Sequence, residues 1–191
     1  MSDRRPYIVG LGGTTDPNSS SERALAAALE AAGDQGATTR LLTARELELP
    51  MFAPGVSERS EAARDFLAAV EAADGVIIST PAYHGSISGL LKNAIDYLED
   101  LREAERPYLD GRPVGCIVCA YGWQGTGTAL AALRAIIHSL RGWPTPLGVT
   151  INTSQGVFGD DGRVSDPDLG FRLGVLADQV TRFGHLREQA G

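Results

Sequence analysis

Short apolar runs rich in β-branched residues alternate along the chain with segments that carry apolar residues at helical spacing. Strands are predicted over residues 7–11, 38–42, 75–80, 114–120 and 147–151. The strongest is 75–80, because Val76, Ile77 and Ile78 follow one another. Helices are predicted over residues 20–32, 58–73, 88–105, 128–141 and 166–186. Residues 43–56 are polar and contain prolines, so this segment is predicted to be a connection. Residues 156–168 are rich in Gly and Asp, so they are predicted to form a long loop or a hairpin.

Strict alternation of strands and helices predicts a parallel sheet with helices on both faces. Five strands favour a flavodoxin-like three-layer α/β/α fold of the α/β class, with strand order 2-1-3-4-5. The length suits a single domain over residues 1–191, and no repeat or linker interrupts it. Ligands of such sheets bind at the carboxyl ends of the strands, so the loops after strands one, three and four are the candidate site.

The net charge of -7 is spread along the chain, which excludes the basic stripe of a nucleic-acid surface. No segment approaches the roughly 20 apolar residues of a membrane span. The first six residues are polar, and the apolar run after them is too short for a signal-peptide core, so we expect a cytoplasmic protein.

The first candidate loop joins strand one to helix one and has the composition of a phosphate site. It offers Gly13 for close backbone approach, a helix N-terminus, and hydroxyls on Thr14, Ser19, Ser20 and Ser21. The pattern is neither a P-loop nor a G-x-G-x-x-G fingerprint, which disfavours an NTPase or a dinucleotide fold. The alternative is that Ser20 or Ser21 only caps the helix.

The second and third loops have the composition of a site for a flat ring. The second contains Pro81, Ala82, Tyr83, His84, Gly85 and Ser86, in which Tyr83 is suited to packing against a ring. The third contains Tyr121, Gly122, Trp123, Gln124 and Gly125, whose glycines bring backbone N–H groups to a ligand edge. Taken singly, Tyr83 is equally a half-buried loop aromatic and His84 a surface histidine.

Two other groups of reactive side chains are expected to be inert. Cys116 and Cys119 form a C-x-x-C inside a predicted strand, where residues three apart point to opposite faces, so we expect two buried core thiols. His84, His138 and His185 lack metal-ligand spacing, and no metal site is expected.

The second loop and the helix after it carry the motif T-P-x-Y-x-G-S-x-x-G-x-L-K-N-x-I-D over residues 80–96. With this motif the chain resembles the NADPH-dependent FMN reductase family of flavodoxin-like flavoproteins, from about Tyr7 to Val149. The resemblance implies FMN as cofactor and NADPH, or NADH, as reductant. It places the FMN phosphate on the first loop and the isoalloxazine ring against the second and third loops.

The resemblance also implies the reaction and the partners. Hydride passes from the nicotinamide to FMN and on to a small-molecule acceptor such as free flavin, a quinone, an azo compound or a metal ion. No general base or nucleophile is needed, so no catalytic residue is predicted. A flavin-dependent monooxygenase is a possible partner, and a homodimer or homotetramer is expected. The helix after the second loop has apolar surface that could take part, on Leu90, Leu91, Leu98 and Leu101. The alternative is that this face only covers the sheet.

Two residues depart from the family pattern. Asp16 stands where the family often has Arg, and a carboxylate pointing inward would weaken phosphate binding. His84 stands where it often has Asn, and we hypothesise that it stabilises the reduced ring or gates access to it. Two alternatives remain at this stage, a flavodoxin-type electron carrier that does not oxidise nicotinamide and a non-flavin α/β binding module.

Overall fold

The computed structural model describes residues 4–188, with side chains to residue 184. Its five parallel strands form one sheet in the order β2-β1-β3-β4-β5. The predicted fold class and strand order are therefore confirmed. The strands are β1 (Tyr7–Gly12), β2 (Thr38–Leu42), β3 (Gly75–Pro81), β4 (Pro113–Ala120) and β5 (Trp143–Asn152).

Six α-helices connect or follow the strands, and serine caps begin three of them. They are α1 (Ser20–Asp34), α2 (Ala44–Leu47), α3 (Glu61–Ala72), α4 (Gly89–Asp96), α5 (Trp123–Ser139) and α6 (Pro167–Glu188). The side chains of Ser19, Ser60 and Ser88 each accept a backbone N–H of the first turn of α1, α3 and α4. These caps satisfy donors that a helix start leaves free, which fixes where each helix begins.

Several predicted boundaries are wrong. The strand predicted from residue 147 begins at Trp143, and the helix predicted from residue 58 begins at Glu61. The helix predicted over 88–105 ends at Asp96 and continues as a 3₁₀ turn, Tyr97–Leu101, which buries Tyr97, Leu98 and Leu101. The helix predicted from residue 128 begins at Trp123. The connection predicted over 43–56 contains the short helix α2, whose capping box joins Thr43 to Glu46.

Each face of the sheet is covered by its own apolar cluster. Helices α1 and α6 pack on one face, around Leu25, Leu173 and Leu176. Helices α3, α4 and α5 pack on the other, around Phe66, Leu91 and Leu133. No helix among the described residues is long and apolar enough to cross a membrane.

The two cysteines of the C-x-x-C in strand β4 lie in different apolar clusters, one on each face of the sheet. Cys116 belongs to the cluster under α3–α5 and Cys119 to the cluster under α1 and α6, and both thiols are free and buried. Burial raises the pKa of each thiol to about 12, although Arg134 slightly opposes this at Cys116. The prediction of two core thiols is confirmed.

The leucines assigned to a subunit interface are used inside the chain. Leu91, Leu98 and Leu101 are buried in the core cluster under α3–α5, and the partly buried Leu90 packs against it. Of the two alternatives for this helix face, the one in which it covers the sheet is therefore confirmed.

Candidate functional site

The first loop leaves strand β1 in close contact with strand β3. A Cβ placed on Gly13 would lie 2.8 Å from Thr80 Cα and 2.9 Å from Ser79 O, both backbone atoms. Ordinary carbon–carbon contacts are about 3.5–4.0 Å, so only glycine allows this approach. The loop backbone is thereby held at the carboxyl end of β3.

The polar side chains of this loop divide between capping the helix and facing outward. Ser19 is the N-cap of α1, and its hydroxyl accepts the Glu22 N–H at 3.2 Å and lies 3.1 Å from the Ser21 hydroxyl. Ser21 is buried, whereas Ser20 is partly exposed. Ser20 and Ser21 are the first two residues of the helix, so their N–H groups have no helical acceptor. These donors and the positive end of the helix dipole suit an anion.

The carboxylate of Asp16 is engaged in a hydrogen bond within the loop. Its Oδ1 accepts the Asn18 N–H at 2.9 Å, and its own N–H donates to Thr14 Oγ1 at 3.1 Å. The residue is exposed and forms an Asx turn that shapes the loop.

The second loop is a tight turn built on two residues with positive φ. Tyr83 and Ser86 exchange backbone hydrogen bonds of 3.0 and 3.1 Å, and His84 and Gly85 between them have φ values of 52° and 82°. Such turns favour the pair Asn-Gly. This preference gives a structural reason for the Asn that the resemblance implies where this chain has His84. His84 is exposed at the tip of the turn.

Hydrogen bonds to side chains fix this loop and the helix after it. The Thr80 hydroxyl accepts the Ser88 N–H at 3.1 Å across the loop. In the motif that follows, Asn93 accepts the Phe52 N–H at 2.8 Å and donates to the carbonyls of Leu49 and Pro50. The Asn of the motif therefore supports the scaffold.

The third connection is shorter than predicted, because it consists of Tyr121 and Gly122 alone. Gly122 is the N-cap of α5 with extended backbone, so Trp123, Gln124 and Gly125 form the first turn of the helix. A Cβ on Gly125 would lie 3.7 Å from Ala120 Cβ and 3.9 Å from Ala82 Cβ. The backbone N–H groups that were predicted to contact a ligand edge therefore belong to the N-terminus of α5.

The second and third connections lie side by side and, with the first turn of α5, expose three aromatic rings. The Ala82 N–H donates to Cys119 O at 2.8 Å, which continues the pairing of β3 with β4. Tyr83 is 55 % exposed, Tyr121 84 % and Trp123 52 %. Neighbouring exposed aromatic side chains are typical of surfaces that bind a ligand or partner.

Glu22 is a residue of this region that the sequence analysis missed. It stands three residues after Ser19, a spacing that predicts an exposed carboxylate folding back on the helix start. Instead it is 6 % exposed and occupies the space that a Cβ on Gly12 would need. Burial, and secondarily the negative charge of Glu46, raise its pKa to about 7.

A groove of about 650 Å³ runs beside the first loop, between α1, the end of β2 and the connection after β5. That connection forms the predicted hairpin, because Phe158 and Val164 pair antiparallel. Pro17 and Asn18 of the first loop line the groove, as does Glu22.

Together, these donors fit a phosphorylated cofactor with a flat ring. Two helix N-termini and a glycine-held loop meet at one edge of the sheet, next to exposed aromatic rings. Within residues 4–184, no group of three or more His, Cys, Asp or Glu side chains is placed to hold a metal ion.

Sequence comparison decides the family. Residues 6–156, which include all three loops, match the family of NADPH-dependent FMN reductases. The chain belongs to this family. The reductase is therefore an NAD(P)H-dependent oxidoreductase that uses FMN and NADPH.

Two curated relatives are similar to the reductase over most of both chains. An FMN-dependent NADPH-azoreductase of Staphylococcus aureus (strain USA300) is 31 % identical over 140 residues, which are 72 % of this chain and 71 % of the relative. The protein of the same description from Staphylococcus haemolyticus (strain JCSC1435) is 32 % identical over the same shares.

A solved structure shares the fold. The flavoenzyme NAD(P)H:(acceptor) oxidoreductase FerB from Paracoccus denitrificans superposes on the reductase with a TM-score of 0.76 at 19 % identity. The alignment covers 93 % of this chain and 98 % of that one.

Proposed function

We propose that the reductase holds the FMN phosphate on the first loop and the N-terminus of α1. The isoalloxazine ring then lies against the second loop and the first turn of α5. The close approach of Gly13 to β3, the free N–H groups of Ser20 and Ser21, and the exposed Tyr83 support this placement. The sixteen residues predicted from the sequence remain the proposed contacts.

Bound FMN supplies the redox chemistry, because it accepts hydride from the nicotinamide and passes electrons to the acceptor. The chain has to bind and orient both partners. Backbone N–H groups at the start of α5 suit the polar edge of the ring, and the turn of Tyr83 and Gly85 shields one side of it from water. No side chain has to donate or accept a proton in the hydride transfer itself.

The acceptor we propose is a flat aromatic molecule, an azo compound or a quinone. The observation that carries this proposal is the exposure of Tyr83, Tyr121 and Trp123 beside the loops. Aromatic rings gain about 0.5–1.5 kcal/mol from pairing with other rings, beyond the gain from burial. The curated azoreductase relatives add support.

The experiment is an anaerobic titration of the purified protein with FMN, followed by NADPH or NADH and then an azo dye such as methyl red. We expect saturable FMN binding, bleaching of the flavin absorbance by the nucleotide, and recovery of that absorbance when the dye is reduced. Binding without bleaching would favour an electron carrier. Failure to bind FMN would overturn the proposed cofactor site.

Two tryptophans at opposite ends of the sheet provide a matched pair of variants. Trp123 lies at the carboxyl end and is 52 % exposed, whereas Trp143 begins β5 at the other end and is 58 % exposed. We expect Trp123→Ala to lower kcat/KM for the dye about three- to tenfold. Trp143→Ala should leave it unchanged, and equal losses in both variants would contradict the proposed acceptor surface.

We also propose that residues 1–191 form one domain and that the protein assembles as a homodimer or homotetramer. The exposed rings at the site support assembly, since a second subunit would cover them. A monomer in light scattering with bound FMN would overturn the proposed assembly.

A cytoplasmic location is a further proposal, as is the supply of reduced flavin to a monooxygenase, because both suit a consumer of NADPH. Cell fractionation tests the location, and an assay coupled to a monooxygenase tests the supply of flavin.

A further inference from the structure

Glu22 lies at the helix start that the phosphate would use, and one oxygen of its carboxyl group, Oε1, has no hydrogen-bond partner among the described residues. The residue is in the first turn of α1, three positions after the N-cap Ser19. It is 6 % exposed, and its Oε1 is buried with no hydrogen-bond partner among the described residues. A buried carboxylate without partners is costly, whereas the protonated group is tolerated more easily.

The charged groups around Glu22 do not compensate for this burial. Glu46 of α2 is the neighbour that adds negative charge, and its own carboxylate is engaged by the N–H and hydroxyl of Thr43 at 3.0 and 2.9 Å. Arg23 is adjacent on α1, and Asp16 lies in the loop before it. The remaining charged side chains that line the groove are Glu30, Asp160, Asp161 and Arg163. This set is acidic overall, and the pKa of Glu22 is raised to about 7.

We propose that Glu22 is a positioning residue of the cofactor site, which carries a proton whenever the phosphate of FMN is bound. This proposal rests on the proposed function, because it requires the phosphate at the N-terminus of α1. An ionised Glu22 would place a negative charge within the turn whose N–H groups hold the phosphate dianion. Above the pH at which free Glu22 ionises, binding therefore takes up one proton from solvent.

The first measurement is the dissociation constant of FMN between pH 7 and 8.5, followed by quenching of flavin fluorescence. A phosphate monoester has a second pKa of about 6, so FMN itself is dianionic throughout this range. We expect the dissociation constant to rise with pH, approaching tenfold per pH unit at the upper end. Riboflavin, which lacks the phosphate, should bind with a constant that does not change with pH.

Two glutamates on the same helix give a matched pair of variants. Glu22→Gln keeps the shape of the side chain and removes the charge, so FMN binding should become independent of pH and tighter than in the wild type at pH 8.5. Glu30 lines the same groove two turns further along α1. Glu30→Gln should therefore show the same change of the FMN dissociation constant with pH as the wild type.

Calorimetry of the unmodified protein tests the same proposal without any substitution. Titration with FMN at pH 8 in two buffers of different protonation enthalpy should report uptake of close to one proton. FMN binding with no proton uptake, or a pH slope in Glu22→Gln equal to that of the wild type, would overturn the role of Glu22 and leave the FMN site intact. Absence of FMN binding at every pH would overturn the proposed function itself.

Discussion

Substituting Gly13 by alanine is the most direct perturbation of the first loop. The new Cβ would lie 2.8 Å from Thr80 Cα, 2.9 Å from Thr80 Cβ and 2.9 Å from Ser79 O. These atoms cannot turn away, because Ser79 is paired with Gly12 in the sheet. The loop would have to move outward by about 0.5–1 Å to restore ordinary contacts.

This overpacking should cost about 1–3 kcal/mol of the free energy of unfolding. For a chain of this length, that corresponds to a fall in Tm of roughly 3–10 °C. The displaced loop also carries the proposed phosphate donors, so FMN should bind about tenfold more weakly, equivalent to about 1.4 kcal/mol.

Thermal unfolding and FMN titration of the same protein preparation provide the assay, with Gly33→Ala as the control. Gly33 lies in α1, and a Cβ there would meet nothing within 4 Å. Alanine is favoured over glycine in a helix by about 1 kcal/mol, so Tm should stay equal or rise. A Gly13→Ala protein with wild-type Tm would refute the packing argument. A lower Tm with unchanged FMN affinity would refute the phosphate assignment.

Four further changes have defined outcomes. Asp16→Asn keeps the Asx turn and removes a negative charge, so FMN should bind two- to fivefold more tightly at low salt, which is about 0.5–1 kcal/mol. The gain in affinity should shrink in 1 M salt, and a gain that is independent of salt would contradict this prediction. His84→Asn places at this positive φ a residue that tolerates it better, and should raise stability by about 0.5–1 kcal/mol in urea titration. An unchanged flavin potential and turnover would end the hypothesis that His84 tunes or gates the ring. Because the folded pKa of Glu22 exceeds its ordinary 4.5, the wild type loses stability as pH rises from 4.5 to about 7. Glu22→Gln should therefore be more stable than the wild type by about 3 kcal/mol at pH 8 and by nothing at pH 4. An equal difference at both pH values would exclude a titrating Glu22. Cys116 and Cys119, with pKa values raised to about 12, should resist iodoacetamide at pH 8 until guanidinium unfolds the chain; labelling of the native protein would show that the thiols are accessible.

The parallel sheet followed from the sequence because strands alternate with helices, and the strand order followed from the presence of five strands in one domain of this class. Parallel strands buried on both faces need apolar residues throughout, as in Val76, Ile77 and Ile78. The helix ends were less predictable. Gly125 and Gly127 have low helix propensity, yet α5 includes both, and Gly125 lies in packing distance of Ala82 and Ala120.

Glu22 shows why side-chain environments are harder to predict than element order. The spacing from Ser19 indicates a local capping interaction, and only the sequence around the helix enters that argument. Its burial depends on Gly12 in β1 and Glu46 in α2, which the fold brings together. A prediction from local pattern cannot include neighbours that are distant in sequence.

The contact between Gly12 and Glu22 links the evolution of two positions ten residues apart. Since the carboxyl group fills the volume that a side chain at position 12 would take, a larger residue at 12 would displace the end of the Glu22 side chain from its present place. We therefore expect chains of this family that carry alanine or serine at the first position to lack a buried carboxyl group at the second, and with it the proton uptake proposed above. The two positions are best exchanged as a pair when the site is engineered, because either change alone leaves a clash or a cavity.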